Sequence, residues 1–170
     1  MNSLPAVKGK QGQISQDIVQ LVSFDLGGEK YGVDVLTVRE IIRIPSITKM
    51  PNAPQYVEGI VNLRGKVIPI VSMRKRFGLV ENDNNSHTRI IIIDVAGTLT
   101  GFVVDSVSEV IRIDSKEIQP APSMIVSGGI RQEFFDGVYS HGERLLIIMN
   151  VDRMLSEDEL ESYRLSQQSV

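Results

Sequence analysis

From Ile18 onward the chain alternates: Val22, Phe24 and Leu26 are apolar, Ser23 and Asp25 between them are polar, and this is the period of a half-buried strand. Gly27 and Gly28 follow, supplying the positive φ that both central residues of a tight hairpin require, and Tyr31, Val33 and Val35 form the returning strand. The pattern then recurs. Displacing the sequence on itself by 69 positions lays residues 22–51 over 91–120, with eleven of thirty pairs identical, among them Asp25/Asp94, Gly28/Gly97, Gly32/Gly101, Val38/Val107, Glu40/Glu109 and Ile42/Ile111. The register next slips by nine, so that Glu58, Gly59 and Ile60 meet Asp136, Gly137 and Val138, and residues 67–71 meet 145–149. The extra residues fall around Ser127, Gly128 and Gly129, the composition of a loop insertion.

The chain is therefore two copies of a unit of about 65 residues, joined at the polar stretch 81–87. Each unit reads as strand, Gly turn, strand, a bent stretch, a Pro-rich loop and two more strands. Short strands with regular turn signals and no long helical period predict an all-β protein, each unit closing five strands into a small barrel that pairs its own edges. Helix is minor: Ser72 caps a turn from Met73 to Phe77 that stops at Gly78, and Ser156 with Glu159 is a capping box leading into Leu160 and Tyr163. The expected divisions are a tail over 1–16, a first barrel over 17–82, a second over 83–155, and a C-terminal helix and tail over 156–170, with exchange of strands between the barrels left open. A unit this small buries only about 60% of its unfolded surface, so the two are expected to fold together as one body.

Composition narrows the function. The chain has no cysteine and two histidines, which removes disulfides, thiolate metal sites and a cysteine nucleophile. Eighteen basic against 21 acidic residues leave a net charge of −3, so no positive field is available to hold nucleic acid. No apolar stretch approaches the ~20 residues of a membrane helix, and the N-terminal residues lack an apolar signal core; a cytoplasmic protein is expected.

Chemistry-bearing motifs are few. His141-Gly142 reads as a hairpin tip, His87 as a solvated histidine, and Asp94 and Asp105 as strand-end residues that face solvent or cap turns. No nucleophile elbow or phosphate-cradling glycine loop occurs, so neither an enzyme nor a cofactor is implied. The basic run Arg74-Lys75-Arg76 has no aromatic residue interleaved for base stacking and reads as a solvated helix face. Glu40 and Glu109 recur at one point of both repeats among apolar neighbours. Arg64, in the turn Asn62-Leu63-Arg64-Gly65-Lys66, stands exposed on a rigid hairpin.

These residues carry a resemblance. Phe24, Leu26 and Gly27 with Tyr31, Gly32 and Val33; Val38 with Glu40-Ile41; Ile47 to Pro51 and Pro54; Gly59-Ile60 with Asn62-Leu63-Arg64-Gly65; the Val67–Val71 strand with Pro69; and Gly101 with Val104-Asp105-Ser106-Val107 together resemble the CheW-like family of chemotaxis coupling proteins, over about residues 18–163. The resemblance implies two SH3-like five-stranded barrels packed side by side and a non-catalytic scaffold. It further implies two partners, the cytoplasmic tip of methyl-accepting chemoreceptors and the regulatory domain of the histidine kinase CheA, and a place at membrane-associated receptor arrays without membrane insertion. The free protein is expected to be monomeric. Val38, Glu40 and Arg64 match family positions near the receptor-binding groove between the barrels. A helix laid on strand residues Val38, Ile41 and Val67, with Glu40 and Arg64 as a polar rim able to pair with each other when unbound, is the expected receptor contact. The kinase-contacting loops are not legible. Ser72-Met73-Arg74 replaces the family's usual Asp-Leu-Arg, a change confined to a helix cap. The alternatives are a CheW-like adaptor of a pathway with an output other than motility and, in a different class, a small-barrel nucleic-acid-binding protein.

Overall fold

The computed structural model describes residues 17–121 and 134–154. Its ten strands are β1 (Ile18–Leu26), β2 (Glu29–Asp34), β3 (Val38–Arg43), β4 (Val57–Leu63), β5 (Lys66–Ser72), β6 (Arg89–Val95), β7 (Thr98–Val104), β8 (Ser106–Asp114), β9 (Phe135–His141) and β10 (Arg144–Met149). One helix, α1 (Met73–Arg76), follows β5; Ser72 caps it by accepting a hydrogen bond from the Lys75 amide, and Gly78 ends the turn at φ 72°. The helix and tail expected over 156–170, and the tail over 1–16, lie outside the described residues.

Two five-stranded sheets form, ordered β8-β1-β2-β10-β9 and β3-β6-β7-β5-β4. This corrects the division at residue 82. The second sheet is a contiguous stretch of chain from Val38 to Val104, whereas the first joins the N-terminal hairpin to the three C-terminal strands. Each repeat thus lends its leading hairpin to the other repeat's sheet. The reason is edge satisfaction: β1 finds its free edge covered by antiparallel β8 and β2 finds its own covered by parallel β10, just as β6 is covered by β3 and β7 by parallel β5. We call the two bodies the split barrel (β1, β2, β8–β10) and the inserted barrel (β3–β7). The chain passes between them twice, through a 3-10 turn at Val35–Thr37 and through the single residue Asp105.

Closure is the same in both. After β3 the chain bends back and Thr48 exchanges two backbone hydrogen bonds with Ile60 of β4, at 2.9 and 2.8 Å; after β8, Gln119 does the same with Val138 of β9. The close approach demands glycine. A Cβ on Gly59, whose φ is 150°, would stand 2.2 Å from the Thr48 carbonyl oxygen, and one on its counterpart Gly137 would stand 2.4 Å from that of Gln119.

Three apolar clusters result. Leu21, Ile111, Ile113, Leu146 and Ile148 fill the split barrel, and Val61, Ile68, Ile70, Ile90 and Ile92 fill the inserted one. The third and largest lies between the bodies and draws on both, from Val22, Phe24, Tyr31 and Phe135 on one side to Val71, Phe77, Ile91, Ile93 and Phe102 on the other. The uninterrupted run of isoleucines from 90 to 93 follows directly, because β6 is covered on both faces: Ile90 and Ile92 point into the barrel, Ile91 and Ile93 toward the interface. An aromatic ladder crosses this interface, with Phe24 5.7 Å from Tyr31, Tyr31 5.6 Å from Phe77 and Phe77 6.1 Å from Phe135. Burial pushes the Tyr31 hydroxyl up to about 12, aided by the Glu29 charge.

The half-buried reading of β1 is corrected at Ser23, which is fully buried. A β-bulge between Val22 and Phe24 breaks the ladder with β8 there, and the serine hydroxyl replaces the missing bonds, donating to the Glu109 carbonyl at 2.9 Å and accepting from the Glu109 amide at 3.2 Å.

The Arg74-Lys75-Arg76 run is also corrected: α1 is so short, and so deep in the junction, that its cations point at neighbouring elements rather than into solvent. Arg74 grips Asp105, Lys75 reaches Glu58 at 3.2 Å, and Arg76 lies over the rings of Tyr56 and Phe134 while donating to the Met154 carbonyl at 2.6 Å.

Candidate functional site

The turn joining β4 and β5 is built by its own residues. Arg64 and Gly65 both have positive φ, 52° and 86°, as a two-residue hairpin of right-handed twist requires. The Asn62 side chain accepts a hydrogen bond from the Gly65 amide at 2.9 Å and clasps the loop. An arginine in the left-handed region is uncommon, and such strain persists only where the surroundings hold it. What holds it here is the turn itself, as in the β6–β7 turn, where Ala96 and Gly97 have φ of 50° and 87°, and the side chain so presented reaches Glu40. Arg64 donates through both terminal nitrogens to the two carboxylate oxygens, Nη1 lying 3.3 Å from Oε2 and Nη2 in closer contact with Oε1. The hydrogen bonds from Arg64, working against partial desolvation, hold the Glu40 carboxyl below its ordinary value; the same bonds raise Arg64.

The pair stands over an open depression of about 520 Å³ at one end of the inserted barrel. Its apolar lining is Leu63, Ile68, Ile92 and Leu99, and a second ion pair, Arg39 to Asp94 at 3.0 Å, lies at the same mouth. Asp94 also accepts the Gly97 amide at 2.8 Å, so it caps its turn as expected.

Of the five sequence-predicted residues, Glu40 and Arg64 come together. Val38, Ile41 and Val67 do not join them at the floor. A bulge between Val38 and Glu40 turns Glu40 toward Ile92 and the barrel end, while Val38 opposes Ile93 and Ile41 opposes Ile91, both on the interface side. Val38 packs against the central cluster, and Ile41 remains 40% exposed. Val67 alternates with Ile68, so it lies on the opposite face of β5 from the floor. The signal for the floor residues is this strand period: Ile68 and Ile70 point inward, and the depression continues their row.

The repeat offers a comparison. Glu109, the counterpart of Glu40, also faces the tip of its barrel's closing hairpin, where His141 Nε2 lies 3.7 Å from its Oε2. His141 sits at the start of the β9–β10 turn, and that contact is long and single where Glu40 is held at both oxygens. Among the described residues, the inserted barrel combines a bidentate pair, an arginine at positive φ and an aliphatic depression. Among the described residues no group of three or more His, Asp or Glu side chains could hold a metal ion, and no helix is long and apolar enough to cross a membrane.

Residues 20–159 match the family model described as the CheW-like domain. The chain belongs to the CheW-like family. It is similar to the "Chemotaxis protein CheW" of Treponema pallidum, at 34% identity over 152 residues covering 87% of this chain and 88% of that protein. It is also similar to the "Chemotaxis protein CheW" of Klebsiella aerogenes, at 33% over 141 residues covering 83% and 84%. The crystal structure of the scaffolding protein TtCheW from Thermoanaerobacter tengcongensis superposes with a TM-score of 0.75 at 36% identity, covering 83% of this chain and 90% of that one. The two five-stranded SH3-like bodies are therefore the CheW-like fold, and the chain is a member of a family of chemotaxis scaffolds.

Proposed function

We propose that this protein is a non-catalytic, cytoplasmic coupling scaffold that holds the cytoplasmic tip of methyl-accepting chemoreceptors and the regulatory domain of CheA in one complex at receptor arrays. The observation that carries the receptor half is the exposed Arg64, paired through its guanidinium with Glu40 over the aliphatic depression of the inserted barrel. A cation exposed on a rigid hairpin and already oriented by its carboxylate partner, with no contact to the barrel core, fits a contact residue better than a structural one. Helical receptor tips would lay an apolar ridge in the depression, with Glu40 and Arg64 setting the register and the exposed Ile41 extending the contact toward the interface between barrels.

A ternary pull-down with a receptor cytoplasmic fragment and CheA tests the reading. Both partners should be retained by the wild-type protein. Arg64→Glu and Glu40→Lys should each lose the receptor fragment, keep CheA and melt normally. Retention of neither partner by the wild type, or unchanged receptor affinity in both variants, removes the proposal.

A further inference from the structure

Five charged side chains surround the depression: Arg39, Arg64 and Lys66 against Glu40 and Asp94. Both carboxylates are already taken, Glu40 by Arg64 and Asp94 by Arg39. The Lys66 ammonium makes no hydrogen bond or ion pair among the described residues. The mouth of the depression therefore carries one cation in excess, placed two residues from Arg64 at the start of β5, on the edge of an aliphatic floor.

That surplus has a consequence once the depression is covered. A partner laid over Leu63, Ile68, Ile92 and Leu99 brings its own charges beside an exposed ammonium that lacks a counter-charge, so a carboxylate there is attracted and a cation repelled. This chain has no spare carboxylate there. We infer that Lys66 is a specificity-determining residue of the site, and that the segment it accepts presents an aliphatic side chain to the floor and a carboxylate to Lys66. The inference rests on the reading of the depression as the receptor contact and goes beyond it by stating the partner's chemistry. Because Lys66 sits on the rim, its effect falls on association rate and salt dependence more than on the lifetime of the complex.

The experiment measures binding of a receptor cytoplasmic fragment to the full chain at 50 and 300 mM NaCl. Lys66→Met should weaken binding about 3-fold to 10-fold at low salt and flatten its salt dependence, Lys66→Glu should weaken it at least ~10-fold, and Lys66→Arg should retain it. All three substitute an exposed side chain and should melt as wild type. Unchanged or tighter binding by Lys66→Glu, with Arg64→Glu still losing the fragment, overturns the role of Lys66 alone. If Arg64→Glu is silent as well, the depression itself is the wrong site.

Discussion

Arg74 holds Asp105 with two parallel hydrogen bonds, Nε to Oδ1 at 2.9 Å and Nη2 to Oδ2 at 2.8 Å, and Asp105 is the only residue between a strand of the inserted barrel and a strand of the split barrel. The Gly27 amide donates to the same carboxylate at 2.9 Å, tying in the β1–β2 turn. Three segments thus meet on one side chain at a crossing point of the chain.

Acid sensitivity should follow from this clasp. Partial burial opposes ionisation of Asp105, but Arg74 and the Gly27 amide outweigh it and hold the carboxyl below the ordinary 3.8; Asp25, bonded to Ser106 and Lys30 against its own desolvation, is likewise lowered. A depressed folded value means that the stabilisation is complete above the unfolded value and is lost as pH falls through the folded one, so stability should be level near neutrality and decline below about pH 4. Arg74→Gln should cost about 1–2 kcal/mol at pH 7 and move the acid-unfolding midpoint upward. Urea midpoints measured between pH 2 and 7 decide this, and an acid midpoint at or below that of wild type counts against the clasp.

The arginine of the β4–β5 turn should show a separation of stability from function. Asn tolerates positive φ better than Arg, so Arg64→Asn should melt no lower than wild type and up to ~2–4 °C higher, while receptor binding is lost. A variant that binds normally, or that melts well below wild type, contradicts the view that the Arg64 side chain serves contact rather than folding.

Closure of the inserted barrel should depend on Gly59. With a Cβ placed 2.2 Å from the Thr48 carbonyl oxygen, Gly59→Ala must push the returning chain away and break two backbone hydrogen bonds. A loss of about 3 kcal/mol or more is expected by chemical denaturation, against about 1–2 kcal/mol for Gly65→Ala, where nothing lies within 4 Å and only the positive φ of 86° opposes a Cβ.

The two barrels should unfold together. Phe77, carried by the segment after β5, is inserted between Tyr31 and Phe135 of the split barrel. Phe77→Ala should therefore cost about 3–5 kcal/mol and still give one transition, coincident in fluorescence and far-UV circular dichroism. Two resolved transitions would mean that the bodies are independent.

The repeat, the Gly-turn hairpins and the α1 cap were all legible in the sequence, because each depends on local chemistry: strand period, positive φ, a serine at a helix start. The mixing of strands between repeats was not. Pairing partners are chosen by free edges in three dimensions, and β10 lies beside β2 with more than a hundred residues between them in sequence. That Val38, Ile41 and Val67 lie apart from the depression beside Glu40 and Arg64 was not legible for a related reason: bulges are invisible in composition, and the one before Glu40 changes which face of β3 each residue occupies. Ser23 read as solvated and the α1 cations as surface because polarity suggests solvent, while here backbone groups and carboxylates of distant segments satisfy them.

The discontinuity of the split barrel reaches back to synthesis on the ribosome. The inserted barrel has all five strands once Val104 has emerged, but the β1–β2 hairpin, made first, must wait for β8 and for β10, which ends at Met149. At ordinary elongation rates that leaves two open strand edges and an aromatic face exposed for roughly ten seconds, so the nascent hairpin is the segment most in need of shelter by a chaperone or by the already folded inserted barrel.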